Sequence, residues 1–591
     1  MKELFKEVIR INMLENALDA ERSADQFFSR LNTMKMPEYF NWAKEIYEDL
    51  HVSENPDRIA LIWTDMAKLE TQTYTYKNVL EKANQLINFL RGSGVVKGDS
   101  LYMITPVLPE NWFAGLASIK AGIISVPTAT TMTQRELEFR FETYRPNIII
   151  AEPESVELID AVLKELAIEP KVKLVIGESQ GWISFDSIKD QKTEAKAAQT
   201  RSDDILFCFF TSGTTGLPKK VGHTAVSYPI GHLSTSLMMG LTQDDIHNSL
   251  GEPGWAKSVW SGFFAPFNVG ATTTGFKYTF LDGEQYLDAI SQHKITSFCA
   301  QPRVWRMFVK MNLDSFDLSN LKESVSIGEP LSLGTSEKWQ SRTGIPIRDF
   351  YGQTESSAMI GNPPWMKDKI CSGSFGVPFG MYDLALADNE GNEITEPDQE
   401  GHIVVKLDQW RPIGLFSEYI GNPEKMSSVF VDNYYYTGDR ASFDIKGYWR
   451  FMGRADDVIK SSDHRIGPFE VESALNEHPA VAEAAVIGAP DAKRYQLVKA
   501  YVILNPNVQA SRETALALFK HAVEILPKFK IPRLIEFVSE VPKTISGKVR
   551  RIELRQIETT RQDSTQDSTI DESINEYFYW DFPELSSKKK G

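Results

Sequence analysis

Short apolar, β-rich runs recur along the chain, among them Ser100 to Thr105 (SLYMIT), Gly122 to Pro127 (GIISVP) and Pro146 to Pro153 (PNIIIAEP). They alternate with stretches of helical period such as Tyr76 to Gly94. Apolar runs of that length, bounded by turn residues, read as strands buried on both faces, and their alternation with helices reads as layered α/β structure around a largely parallel sheet. The rhythm continues through Leu206 to Gly213 (LFCFFTSG) and Lys294 to Pro302 (KITSFCAQP). Gly92-Ser93-Gly94 follows a helical stretch rather than a strand, so it reads as a helix C-cap and not as a dinucleotide fingerprint.

After about residue 375 the texture changes. Glu400 to Leu407 and Tyr448 to Arg454, separated by Gly, Asp and Asn turns, suggest a smaller antiparallel sheet. Val471 to Pro490, Val498 to Leu504 and Glu513 to Leu526 then follow the order helix, strand, strand, helix expected of a small α+β domain. With 591 residues the chain exceeds one ordinary core. We divide it into an N-terminal helical extension (1–35), a large α/β domain (36–455), a small α+β domain (456–555) and a polar linker with an aromatic tail (556–591). The seam is the polar Arg454-Ala455-Asp456-Asp457. Met1 to Arg22 mixes acids with apolar residues at helical spacing and reads as one helix rather than a targeting signal. The RQDSTQDST stretch is polar enough to stay flexible, whereas Glu576 to Leu585 (EYFYWDFPEL) carries too many aromatics to stay in water and is expected to dock.

A formal net charge of -16 argues against nucleic acid and anionic membrane surfaces as partners but leaves room for a small polyanionic ligand, which needs only a few local cations and N–H groups. Cys208, Cys299 and Cys371 are odd in number and widely spaced, which suits buried thiols in a reducing, cytoplasmic setting. No run of about 18 apolar residues occurs, so no membrane span is expected.

Certain segments bear chemistry. Phe210 to Lys220 (FTSGTTGLPKK) crowds the hydroxyls and N–H groups of Thr211, Ser212, Gly213, Thr214, Thr215 and Gly216 into one turn after a strand, with Lys219 behind them. Such a turn is a concave anion site, although Pro218 stands where P-loop spacing needs its second glycine. Asp349 to Glu355 (DFYGQTE) sets a hydroxyl beside a carboxylate, and Mg²⁺ favours such hard oxygens, which makes Glu355 a candidate metal residue. Asp439, in Tyr436 to Arg440, suits a ribose diol, and Lys548 ends the glycine-containing Pro542 to Lys548. Taken singly, each segment also reads as an ordinary surface loop or turn.

Together with Gly453 to Ser462 (GRADDVIKSS), these segments resemble the adenylate-forming superfamily in order and spacing, and most closely the medium-chain acyl-CoA synthetases. YGQTE, GRADDVI, RIGPFEVESAL and EHPAVAEAAVIG carry the likeness, which runs from about Phe40 to Arg555. The resemblance implies a large AMP-binding domain and a mobile C-terminal domain. It also implies a reaction in two steps: ATP and a small carboxylic acid give an acyl-adenylate and pyrophosphate, and the thiol of coenzyme A then displaces AMP. By the same resemblance Thr211 to Lys219 hold the β- and γ-phosphates, Thr354 meets the α-phosphate and Glu355 holds Mg²⁺. Asp439 and Arg454 bind the ribose, while Gly328, Glu329 and Pro330, with Asp349, Phe350 and Tyr351, flank the adenine. Lys548 is the lysine set between substrate carboxylate and α-phosphate, Arg465 contacts phosphate, and Asp456 is the hinge about which the C-terminal domain swings between the two steps.

Two departures qualify this picture. Acetate-specific relatives have tryptophan where this chain has Gly352, so the acyl pocket is expected to take a medium-length, branched or aromatic acid. Trp255 either lines that pocket or belongs to the core. Relatives also have glycine at the second position of Ser462-Asp463-His464-Arg465, beside the pantetheine tunnel, and Asp463 there would crowd the thiol. A carrier-protein thiol or an amine is therefore an alternative acceptor, and a non-catalytic nucleotide- or acyl-binding regulator is a further one. Arg494 reads equally as a contact for coenzyme A phosphates or as a surface residue.

Overall fold

The structure, a computed structural model, describes residues 1–211, 218–329, 331–371, 373–461, 464–491, 494–543, 548–564 and 575–585. They form two compact units, one of residues up to 383 with 406–434, the other of 384–405 with 435 onward.

The first unit contains two large sheets. In one, Ser100–Ile104, Ile124–Thr128, Ile148–Ala151, Val172–Val175 and Ile205–Thr211 run parallel, so the apolar runs read from the sequence are its central strands. Their side chains are almost wholly buried because helices cover both faces of a parallel sheet. Lys219–Thr224 then turns back antiparallel along Ile205–Thr211, and Glu418–Tyr419 extends the same edge. In the other sheet Ile59–Asp65, Thr272–Lys277, Ile246–Ser249, Ser297–Ala300, Glu323–Ile327 and Ile347–Gly352 lie parallel in that order, with antiparallel strands at both edges.

Local signals behave as their chemistry requires. Thr75 and Asn78 form a capping box that opens helix Tyr76–Gly92, and Gly94 (φ 80°) lets the Val95 N–H turn back to the Leu90 carbonyl at 3.0 Å, closing the helix as a C-cap. The N-terminus departs from the single helix expected. It forms Lys2–Asn12 and Ala17–Thr33, because the Asn16 side chain accepts from the N–H groups of Leu18 and Asp19 and caps a new helix there. The cysteines also depart in part: Cys208 and Cys299 are buried, but Cys371 is partly exposed.

One buried cation ties the second sheet together. Arg348 is 1% exposed, and its guanidinium donates to Glu323 on the neighbouring strand (2.9 and 2.6 Å), to the Met239 carbonyl (2.8 Å), to the Asn362 carbonyl (2.7 Å) and to the Met238 carbonyl.

In the second unit Leu384–Ala387, Gly401–Lys406, Tyr434–Phe443 and Trp449–Arg454 make a small antiparallel sheet. Beyond it come helix Pro468–Asn476, the long hairpin Val481–Asp491 with Tyr495–Leu504, and helix Arg512–Ile525, as expected. Leu534–Phe537 adds a parallel strand that the sequence reading did not call. Helix Arg551–Ser564 takes in the start of the polar repeat, whose remainder lies outside the described residues. The aromatic tail docks: Glu576–Phe578 pairs antiparallel with Leu534–Phe537, and Phe582 is buried against Phe519. Lys499, fully buried, binds Glu536 and Glu558 (2.8 Å each) and Glu576 of the tail strand. Among the described residues no helix is long and apolar enough to cross a membrane.

Replacing Arg348 strands three carbonyl acceptors and one oxygen of the buried Glu323 carboxylate, whose other oxygen keeps Lys367. Arg348→Met is expected to cost about 3–5 kcal/mol, read as a lowered urea midpoint by tryptophan fluorescence.

Candidate active site

Thr211, the last residue of Ile205–Thr211, pairs directly with Lys219, the first residue of the returning strand. The two paired residues thus stand at the carboxyl end of strand Ile205–Thr211 in the mainly parallel first sheet, where open α/β sheets bind ligands. Of the residues expected to bind nucleotide or coenzyme A, Ser212, Gly213, Thr214, Thr215, Gly216, Pro330, Ser462 and Asp463 lie outside the described residues.

Lys219 places its Nζ 5.4 Å from the ring of Tyr419, a cation–π contact, and the Tyr419 hydroxyl donates to Glu355 Oε1 at 2.8 Å. The Glu355 carbonyl accepts the Phe416 N–H (2.8 Å), and the Thr354 carbonyl lies 2.7 Å from Nε2 of His223 on the returning strand. A carbonyl can only accept, so Nε2 carries the hydrogen. Burial pushes the His223 pKa down to about 4, which keeps the ring neutral at ordinary pH. Residues distant in sequence, at 219, 223, 354, 355 and 419, therefore meet at one sheet edge.

The expected adenine-flanking residues lie on adjacent strands. Gly328 and Glu329 leave the end of Glu323–Ile327, whose Ile327 is in register with Phe350. Asp349 is 8% exposed, its Oδ1 has no hydrogen-bond partner among the described residues, and burial pushes its carboxyl pKa up to about 8 against the lowering effect of hydrogen bonds from Leu331, Phe350 and Ser326. An orphaned acceptor in a buried setting is a docking point for an N–H donor. Phe350 packs edge-on against Trp260 and Tyr351 against Phe375. A Cβ on Gly352 would stand 2.4 Å from the Ser357 carbonyl oxygen, so this tight turn itself requires glycine.

Trp255 is partly buried at the start of helix Ala256–Val259. The residues around it, rather than Trp255 itself, open onto an apolar cavity of about 100 Å³ between the two sheets, walled by Met103, Trp112, Phe207, Phe263 and Phe276. Gly352 is not among its lining residues.

In the second unit Asp439 and Arg454 are cross-strand partners, joined from Nη1 to Oδ1 at 3.0 Å. Gly438 (φ 79°) makes that possible, since a Cβ there would come 3.0 Å from Arg454 Nη2. Asp456 follows in the turn after the strand, and its neighbour Asp457 is gripped by Arg555 (2.8 Å) and Arg551 (3.5 Å). His464 stacks on Phe529 (4.4 Å), Arg465 lies opposite Lys460, Arg494 is exposed beside Asp491, and Lys548 is exposed before helix Arg551–Ser564.

His223 and Tyr419 were not called from the sequence. Tyr419 had only a faint signal, the Gly421-Asn422-Pro423 turn behind it, and His223 had none.

The fold is that of the adenylate-forming enzymes. Residues 49–419 match the AMP-binding enzyme family and 470–548 the AMP-binding enzyme C-terminal domain; the chain belongs to this family. It is 46% identical over 88% of its length to 4-hydroxybutyrate–CoA ligase 1 of Metallosphaera sedula, covering 91% of that protein. It is 36% identical over 91% of its length to the mitochondrial acyl-coenzyme A synthetase ACSM3 of Homo sapiens, covering 94% of it. The anthranilate CoA ligase AuaEII in complex with anthranoyl-AMP has a similar structure, with a TM-score of 0.81 and 31% identity, spanning 90% of this chain and 100% of that one. The protein is an AMP-forming acyl-CoA ligase.

A carboxyl whose pKa is raised by folding keeps a proton that the unfolded chain has released. Its contribution to stability is fully present below the ordinary value of 3.8 and is lost as pH climbs through about 8. Asp349→Asn is therefore expected to lose less stability than the parent between pH 5 and pH 8, checked by urea midpoints at both pH values.

Proposed function

We propose that this enzyme activates a small carboxylic acid, of medium length or carrying a branch, a hydroxyl or a ring, as its adenylate and passes the acyl group to coenzyme A. The observation that carries the site assignment is the Lys219–Tyr419–Glu355 bridge, which holds a cation from the end of the hairpin loop and a carboxylate from the YGQTE segment on one tyrosine. Adenylation builds up negative charge at the α-phosphate and on the departing pyrophosphate. The help it needs is fixed electrostatics rather than a covalent nucleophile.

In this reading Thr211 to Lys219 hold the β- and γ-phosphates, and Thr354 offers its hydroxyl to the α-phosphate while His223 fixes its backbone. The unpartnered Oδ1 of Asp349 accepts the adenine amino group between the Gly328–Pro330 and Phe350–Tyr351 segments. Asp439, oriented by Arg454, accepts from the ribose hydroxyls. Glu355 fits Mg²⁺, because a single carboxylate with one oxygen steadied by Tyr419 suits a cation that brings phosphate and water ligands of its own. When bound, Mg²⁺ would neutralise charge on the phosphates. Lys548 supplies an ammonium to the reacting carboxylate and α-phosphate, Arg465 a phosphate contact, and Asp456 the hinge; Ser462, Asp463, His464 and Arg494 belong to the coenzyme A step. A reducing compartment such as the cytoplasm suits its free cysteines.

A panel of carboxylic acids, assayed for pyrophosphate release with ATP and Mg²⁺ and again for AMP with coenzyme A present, tests the reading. Acid-dependent pyrophosphate in the first assay and thioester in the second are expected; absence of both for every acid overturns it. Lys548→Ala is expected to slow pyrophosphate release about 10²–10³-fold while leaving thioester formation from supplied acyl-AMP nearly intact, and equal loss of both would remove Lys548 from adenylation. Tyr419→Phe is expected to raise the Mg²⁺ concentration needed for half-maximal pyrophosphate release several-fold, about the effect of one lost hydrogen bond, with little change in melting temperature.

A further inference from the structure

Lys257 lies two residues after Trp255, and its ammonium is unusually placed. Nζ donates to Ser249 Oγ (3.0 Å), the Leu250 carbonyl (2.8 Å) and the Cys299 carbonyl (3.2 Å). An ammonium has three hydrogens, so all are spent on neutral acceptors, and among the described residues no carboxylate lies within ion-pair distance of Nζ. Burial without a counter-charge, with Arg303 nearby, holds its pKa below the usual lysine value.

The consequence falls on Ser249. Its oxygen accepts from Lys257, which leaves its own hydrogen to be donated, and among the described residues no acceptor takes it. Ser249 ends the strand Ile246–Ser249 and lines the inter-sheet cavity, whose walls are largely apolar. A hydroxyl facing an apolar space without an acceptor is unfavourable, and a cation bound to its oxygen strengthens it as a donor. The rim of the cavity includes Gly251, Pro253 and Gly254, the approach to Trp255. Gly254 (φ 100°) packs so closely on the end of strand Ile124–Thr128 that a Cβ would come 2.3 Å from the Ala129 nitrogen. The cavity runs between the sheets, from Leu101, Ser125 and Phe207 near the starts of their strands to Ser249 and Phe276 near the ends of theirs, so Ser249 stands at the carboxyl end of its strand as the candidate nucleotide-binding residues do.

We propose that Ser249, backed by Lys257, is a specificity residue that donates to a second oxygen on the acid, a hydroxyl carried on the chain away from the carboxylate being activated. The preferred substrates are then short hydroxy acids rather than alkanoic acids of the same size. This rests on the acid-activating reading above and names the class of acid.

The test measures kcat/KM for acid-dependent ATP–pyrophosphate exchange with 4-hydroxybutyrate and with pentanoate, which has a methyl group in place of the hydroxyl. The parent enzyme is expected to favour 4-hydroxybutyrate. Ser249→Ala is expected to lower kcat/KM for 4-hydroxybutyrate about 10- to 100-fold and to leave pentanoate within about threefold; Lys257→Met should shift the ratio in the same direction. Retained pentanoate activity shows that each variant is folded. An unchanged ratio of the two acids in Ser249→Ala overturns the proposal, as does a parent enzyme that prefers pentanoate. If other acids support exchange while neither of these does, the hydroxyl-reading role falls and the adenylation reading stands; if no acid does, both fall.

Discussion

The guanidinium of Arg348 is the contact on which the first unit turns. Its charge is out of water, a state tolerated only when every N–H is directed to an acceptor, and here Glu323 and the carbonyls of Met238, Met239 and Asn362 supply them. Those partners belong to a neighbouring strand, a helix end and the segment after the following strand, so one side chain sets the position of Ile347–Gly352 from three directions. Everything that strand delivers depends on the setting: Asp349 with its orphaned oxygen, the tight turn at Gly352, and beyond it Thr354 and Glu355. The orphaned acceptor can remain unsatisfied only because the strand around it is held independently.

A second constraint is the direction of the strands. Parallel strands send all their carboxyl ends to one edge, so segments remote in sequence emerge side by side without specific attraction between them. Thr211, Ser249, Gly328 and Gly352 each stand at or just beyond such an end. Antiparallel additions refine the arrangement. The hairpin pairing of Thr211 with Lys219 returns the chain beside its own start, and the two-residue strand Glu418–Tyr419 brings a phenol to the same edge. From there Tyr419 meets Lys219 by its ring and Glu355 by its hydroxyl.

Much of this was legible in the sequence where the signal was local. Runs such as Leu101 to Ile104 and Ile148 to Ala151 are apolar throughout because both faces are covered, and they read as buried parallel strands for that reason. The break at Asn16 was missed because the apolar period runs across it, and only the competing side-chain cap shows that one helix stops and another starts. Leu534–Phe537 was missed because four residues are too few for a period to declare itself. In the site, motifs pointed to Glu355, Asp439 and Lys219 as candidates, but not to Tyr419 or His223, whose importance lies in contacts across the fold. Ser249 was illegible for a subtler reason: a serine in a strand becomes informative only when its lone pair is found to be taken and its hydrogen is not.

The docked tail has a bearing on how the second unit behaves in company. Strand Leu534–Phe537 would otherwise present a row of unpaired backbone groups, and Glu576–Phe578 occupies that row while Glu576 joins the Lys499 cluster. The docked strand Glu576–Phe578 thus works as a stopper against other chains. A shortened version ending after Ser564 would leave a ready template for edge-to-edge association, so self-assembly, rather than loss of chemistry, is the failure to which such a truncation leads.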